Sequence, residues 1–130
     1  MKTLIRKILV YIITIQSRLI LWRHRPYIIA VTGNVGKTSV KDIIAHTLSN
    51  LKIRATKKSE NSEIGIPLTI IGTSNPWYSP IAWLKTIAKG MHAFAKRDYP
   101  EYLVLEVGAD TPGDIQNITT WLKPNIAVLT

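Results

Sequence analysis

Read for apolar and polar positions, the chain alternates helix-like and strand-like runs behind an N-terminal arm. In residues 3–22, Leu4, Ile5, Ile8, Ile12, Ile15, Leu19 and Trp22 recur at helical spacings and share one face. Lys2, Arg6, Lys7, Gln16, Ser17 and Arg18 lie off that face, while Leu9, Val10 and Ile13 blur its polar side. Tyr27 to Val31 is a short apolar run, a strand candidate. Val40, Ile43, Ile44, Thr47, Leu48 and Leu51 then predict a helix over Lys37 to Leu51 with one buried face. Ile53 to Thr56 is a second short strand. Further on, Gly65 suits a bend and Pro67 the first turn of a buried helix.

Ser79 is placed to cap a helix with Pro80 at its first position. Its apolar stripe, Ile81, Leu84, Ile87, Ala88, Met91 and Phe94, reads as packing, with Lys85, Lys89, Lys96 and Arg97 facing out and Trp77 and Trp83 in the core or an interface. Tyr102 to Val107 has the continuous apolar character of a buried parallel strand. Asp114 to Leu122 is a short helix that Pro124 stops, and Ile126 to Leu129 is one more strand. Alternating strands and helices imply right-handed crossovers and an α/β fold, with a mostly parallel sheet and helices on both faces.

Between the first strand and the following helix stands Ala30-Val31-Thr32-Gly33-Asn34-Val35-Gly36-Lys37-Thr38-Ser39. Strand, glycine loop, Lys-Thr and helix is the layout of a phosphate-binding loop, which makes the fold a three-layer P-loop type. Gly33 and Gly36 allow φ > 0 and close backbone approach, so successive N–H groups can form an anion nest. The helix adds its unpaired N-terminal N–H groups and positive dipole end. Lys37 would reach the β/γ-phosphates and the Thr38 hydroxyl would ligate Mg²⁺. Val31 takes the place of the usual first glycine. Lys37 and Lys41 in the first turn oppose the helix dipole unless an anion binds there.

Charge sharpens the arm more than the domain. The chain carries +9, and Lys2, Arg6, Lys7, Arg18, Arg23 and Arg25, with no acid before residue 26, supply two thirds of it. A nucleic-acid partner for the whole chain is therefore not indicated. Ile8 to Ser17, the longest uncharged stretch of the arm, is short of the ~20 apolar residues a membrane span needs. Arg6-Lys7 and the apolar run look like a signal peptide, but no small-residue cleavage site follows. Residues 1–25 are thus read as a basic amphipathic helix separate from a domain over 26–130. Three roles stay open: an interfacial membrane helix, a helix packed on the domain, or a partner-binding helix. With no cysteine in the chain, disulfides and thiolate sites are excluded. His24, His46 and His92 show no metal-ligand spacing.

Glu106 ends the third apolar strand, where open α/β sheets gather ligands. It would sit beside the loop and hold Mg²⁺ directly or through water.

Four stretches, in order, resemble the Mur ligases: the loop from Ala30 to Ser39; Asn61-Ser62-Glu63-Ile64-Gly65-Ile66-Pro67-Leu68-Thr69; Leu105-Glu106-Val107-Gly108-Ala109-Asp110 with Pro112-Gly113-Asp114-Ile115; and Pro124 to Thr130. The resemblance implies the central ATP-binding domain of a ligase of peptidoglycan precursor synthesis. There, ATP phosphorylates a peptide carboxylate and an amine attacks the acyl phosphate. By position, Thr32, Gly33, Asn34, Val35, Gly36, Lys37, Thr38 and Ser39 would bind ATP, with Lys37 catalytic. Thr38 and Glu106 would serve Mg²⁺, and Asn61 would face the substrate. Ser62 stands where a second Asn is usual, which puts contacts there in question.

Substrates by resemblance are a nucleotide-sugar peptide and an amino acid or dipeptide. The location is cytoplasmic, or peripheral at the inner face of the membrane through residues 1–25. The family's second-metal His, carbamoylated Lys and C-terminal domain would lie beyond Thr130. The expectation is a fragment, with a sheet incomplete at its C-terminus, an exposed edge and no ligase activity alone. Two other readings are a GTPase-like switch, with Asp110-Thr111-Pro112-Gly113 imitating Asp-x-x-Gly, and a membrane-tethered nucleotide-binding module.

Overall fold

The computed structural model describes residues 3–57, 62–76, 79–108 and 113–130. Their order is α1 (Thr3–His24), β1 (Tyr27–Thr32), α2 (Lys37–Thr47), β2 (Ile53–Ala55), α3 (Ser62–Ile71), α4 (Pro80–Ala95), β3 (Tyr102–Glu106), α5 (Asp114–Thr119) and β4 (Ile126–Leu129). The strands form one parallel sheet in the order β2-β3-β1-β4. Ile29 pairs with Val104 on one side and Ile126 on the other, so β1 is fully flanked.

Successive side chains of a strand point to opposite faces, and the two faces acquire different covers. Ile29, Val31 and Val104 meet Val40 and Ile44 of α2 and Leu48 just past its end. Ile28, Ala30, Leu103 and Leu105 face a larger core with Ile64, Ile66, Leu68 and Ile70 of α3. Helices therefore cover both faces, as predicted. Beyond α3 lie α1 and α4, packed on α3 and on each other as a further outer layer. Gln16 donates to the Ile87 carbonyl at 2.8 Å and His24 is bonded to that of Ala93 at 2.8 Å, so the two helices run side by side in one direction.

Several local expectations need correction. Helix α3 begins at Ser62, so Gly65 and Pro67 lie inside it rather than at its entry. Pro67 removes an intrahelical donor, but burial of Ile64, Ile66, Leu68 and Ile70 at 3% exposure or less holds the helix. Helix α2 stops at Thr47, where a tighter turn carries Ser49 N–H to the His46 carbonyl. Helix α5 likewise ends at Thr119.

The largest correction concerns the outer helices. Much of the predicted α4 stripe is turned to solvent, with Ile81, Leu84 and Met91 each about two-thirds exposed, while Ile87 is half-buried, Phe94 packs against the core, and Trp83, Thr86, Gly90 and Ala93 form the buried face. In α1 the buried face is Val10, Ile13, Ser17 and Ile20, while Leu4, Ile8 and Trp22 of the predicted stripe are exposed. Small residues decide this: Ser17 Oγ donates to the Ile13 and Pro67 carbonyls, and a Cβ on Gly90 would meet Gln16 Oε1 at 2.3 Å. Close helix approach outweighs the more hydrophobic but bulkier stripe. Ser79 does cap α4, accepting from Ala82 N–H at 3.2 Å, and Trp83 is core. Trp77 lies outside the described residues.

At the far edge β4 is largely exposed, Leu129 at 81%. Among the described residues no helix is long and apolar enough to cross a membrane.

Candidate phosphate-binding site

The loop from Gly33 to Gly36 leaves the C-terminal end of β1 and enters α2. Gly33 adopts φ 142° and Gly36 φ 81°, both in the region that favours glycine. Their surroundings differ. Gly36, the N-cap of α2, has nothing within 4 Å of an ideal Cβ, whereas at Gly33 a Cβ would lie 2.1 Å from Thr130 Oγ1 and 2.6 Å from its carbonyl oxygen. Gly33 thus sits under the end of β4, and Gly36 faces open space. Asn34, Val35, Thr38 and Ser39 are exposed and Lys37 is half-buried at the first position of α2. The Thr32 hydroxyl is buried, with no hydrogen-bond partner among the described residues.

Glu106, at the end of β3, is 6% exposed. Register sets it opposite Val31, one residue short of the loop, and its Oε1 accepts from Thr38 Oγ1 at 2.9 Å. Sixty-eight residues of separation thereby close to one hydrogen bond. Carboxylate and hydroxyl present hard oxygen donors, the donor class that suits Mg²⁺, which takes one or two protein ligands and completes its shell with water and phosphate oxygens. Among the described residues there is no cluster of three or more His, Cys, Asp or Glu. The donor set fits a phosphate-linked Mg²⁺, with Thr38 and Glu106 as the groups that would hold it.

Three supporting residues escaped the motif. Thr130 ties down both the end of β1 and the loop: its N–H donates to the Thr32 carbonyl at 2.9 Å, and its Oγ1 lies 3.3 Å from that carbonyl and 2.6 Å from the Val35 carbonyl. The pairing of Thr32 with Leu129 explains its position, but only once strand order is known. Thr56 Oγ1 accepts from Glu106 N–H at 3.1 Å, steadying the acid's backbone. Lys41, expected to await an anion, is instead 2% exposed; its ammonium donates to the Thr56 carbonyl and pairs with Asp42 at 2.7 Å. Lys41 thus pins α2 to the end of β2.

Asn61, Asp110, Thr111 and Pro112 lie outside the described residues. A cavity of about 550 Å³ lies at the β2 edge, lined by Arg54, Thr56, Lys57, Thr69, Asn75 and Lys89 among others; it shares Thr56 with the surroundings of Glu106 but includes no residue of the loop. Arg54 is occupied there, donating to the Thr69 and Ile70 carbonyls at 3.0 and 2.9 Å and lying over the Tyr99 ring.

A parallel sheet with a glycine loop opening a helix behind its first strand defines the class of P-loop-type α/β domains. Within that class the profile of the Mur ligase middle domain matches residues 31–130, and the chain belongs to this family. It is 32% identical over 103 residues to UDP-N-acetylmuramoyl-tripeptide–D-alanyl-D-alanine ligase of Buchnera aphidicola, covering 78% of this chain and 17% of that protein. The ligase of the same name from Bacillus subtilis is 29% identical, over 79% of this chain and 18% of the relative. The crystal structure of MurF ligase from Thermotoga maritima in complex with ADP superposes with a TM-score of 0.65 and 27% identity, covering 93% of this chain and 23% of that one. The chain spans less than a fifth of the length of these two relatives.

Proposed function

We propose that this chain is the nucleotide-loading part of an ATP-dependent amide ligase of peptidoglycan precursor synthesis. The observation that carries the reading is the 2.9 Å contact between Thr38 and Glu106 at the mouth of a loop with two positive-φ glycines. The names of the relatives and the ADP in the similar ligase structure support it.

In this reading the N–H groups of residues 33–38 and the start of α2 cradle the phosphates. Lys37 neutralises charge on the β/γ-phosphates, and Thr38 with Glu106 would hold Mg²⁺, which supplies further neutralisation when bound. Positioning and charge compensation are the main demands of phosphoryl transfer, and these residues meet them. A peptide carboxylate oxygen attacks the γ-phosphorus and ADP leaves; an amine then attacks the acyl carbon, expelling phosphate and giving up a proton. The peptide-bearing nucleotide sugar and the amine, a D-alanyl-D-alanine dipeptide in the relatives' name, bind with groups beyond this loop, and Asn61 is proposed on the substrate side. Residues 1–25 are proposed to bring the domain to the inner face of the cell membrane.

Isothermal titration tests the nucleotide assignment. The chain is expected to bind Mg·ATP in preference to Mg·GTP, and Lys37→Ala is expected to abolish binding in a chain that still folds, as checked by circular dichroism. Equal affinity for GTP would remove the ligase reading.

A further inference from the structure

We propose that the outer surface formed by α1 and α4 lies on an anionic lipid bilayer, with the phosphate loop at the C-terminal edge of the sheet and α2 on the sheet's opposite face. This deepens the membrane-surface reading above by naming the surface, and it is independent of which nucleotide the loop binds.

Both helices carry large apolar side chains that the fold leaves uncovered. In α1, Leu4, Ile8, Tyr11 and Trp22 are 69, 51, 67 and 66% exposed. In α4, Ile81, Leu84 and Met91 are 67, 68 and 67% exposed. The α1 stripe lies opposite the face that carries Ser17 to α3, and the α4 stripe lies opposite the face that carries Gly90 to Gln16 of α1, so both stripes are left on the outside of the same helical layer. At 1.5 Å per residue, the 22 residues of α1 make this surface about 33 Å long. Contiguous apolar exposure on that scale marks an interaction surface rather than scattered surface residues.

Charge selects the occupant. Neither α1 nor α4 contains an acidic residue, whereas exposed Lys7, Arg18 and Arg23 on α1 and Lys85 and Lys89 on α4 are all basic. Basic side chains flanking an apolar face, with a Trp near its end, suit the boundary between anionic headgroups and acyl chains. A soluble protein partner would require an acidic rim around an apolar groove; an anionic bilayer supplies both features over an unlimited area.

Orientation follows from the layers. Between this surface and α2 stand α3 and the sheet, so binding leaves the loop, Lys37 and Thr38 clear of the lipid. Removal of residues 1–25 would be a poor test, because Ile13 and Ile20 are fully buried core.

The experiment is co-sedimentation of the full chain with vesicles of mixed phosphatidylglycerol and phosphatidylcholine, and of phosphatidylcholine alone. Tyr11→Gln/Leu84→Gln and Lys85→Gln/Lys89→Gln variants are run beside it, with circular dichroism melts and nucleotide titrations on all three. The expected result is sedimentation with the anionic vesicles only, weakened by salt. The apolar pair should lower the partition coefficient by about tenfold, since affinity scales with buried apolar area. The lysine pair should lose most of the preference for anionic over neutral vesicles, with melts and nucleotide affinity unchanged in both. No sedimentation, or sedimentation equal in wild type and the apolar variant, overturns the proposal. So does a lipid-free dimer by ultracentrifugation that the apolar pair dissolves, which would give the surface to a second copy of the chain. Loss of nucleotide binding with vesicle binding intact would instead strike the ATP reading alone.

Discussion

The loop edge and the outer helices of this domain show opposite relations between pattern and packing. At the C-terminal edge of the sheet, Gly33 and Gly36 take positive φ, Lys37 opens α2 and Thr38 meets Glu106, all in places that the strand–loop–helix order fixes. In α1 and α4 the most hydrophobic stripes point outward, and mixed faces built around Ser17, Gly90 and Ala93 are buried. A helical wheel counts hydrophobicity, but a helix–helix contact also selects for size and shape. Where a helix is apolar on both sides, the wheel alone does not say which side meets the core.

The sharpest way to break this contrast is to truncate one residue from each face of α1. Ile13 is fully buried and Ile8 is 51% exposed. Ile13→Ala is expected to cost about 2–5 kcal/mol of unfolding free energy, as large-to-small changes in cores do. Ile8→Ala should stay within about 0.5 kcal/mol of wild type. Urea denaturation of the two variants decides it. Equal losses would mean that the outward stripe is covered in solution.

The loop edge offers a matched pair of its own. Gly33→Ala forces a Cβ onto the backbone of Thr130 at positive φ, and a strained site of this sort costs about 1–3 kcal/mol. The overlap must also push β4 away from the loop, so nucleotide affinity is expected to fall with stability. Gly36→Ala meets open space and carries the φ strain alone, about 1 kcal/mol. Thermal melts with and without Mg·ATP separate the two. If Gly36→Ala proved the more damaging, the packing of Thr130 against Gly33 would not govern the loop.

Legibility followed the same division. The parallel α/β class and the positions of β1, β3 and β4 were readable because buried parallel strands are continuous apolar runs. Glu106 could be named because a strand's end is a fixed place beside the loop. Thr130 and Thr56 could not, since their roles depend on β4 and β2 being placed in the order β2-β3-β1-β4, which no local pattern records. Lys41 was misjudged for a related reason. Its place in the first turn suggested an anion, but the end of β2 comes close enough for the Thr56 carbonyl to take its ammonium. Pro67 misled because a proline usually marks a helix entry, and here burial of its neighbours overrides that preference.

Tyr99 joins the outer layer to the core, and it gives the smallest and most specific effect. Its ring stacks on His24 of α1 at 4.6 Å, and its hydroxyl donates to the Ile70 carbonyl at the end of α3. Burial raises the phenol from 10.0 to about 12, with Arg54 pulling weakly the other way. A phenol held neutral in the folded state contributes stability that is fully present below pH 10, the unfolded value. That contribution is lost as pH rises from 10 through about 12. Tyr99→Phe removes the hydrogen bond, at a cost of about 1 kcal/mol at neutral pH. It should also remove this residue's share of the alkaline decline, so the wild-type and variant curves converge between pH 10 and 12. Other tyrosines and the lysines titrate in both proteins and cancel in the difference. Curves that stayed parallel across that window would show that the α1–α3 junction does not depend on a neutral, buried Tyr99.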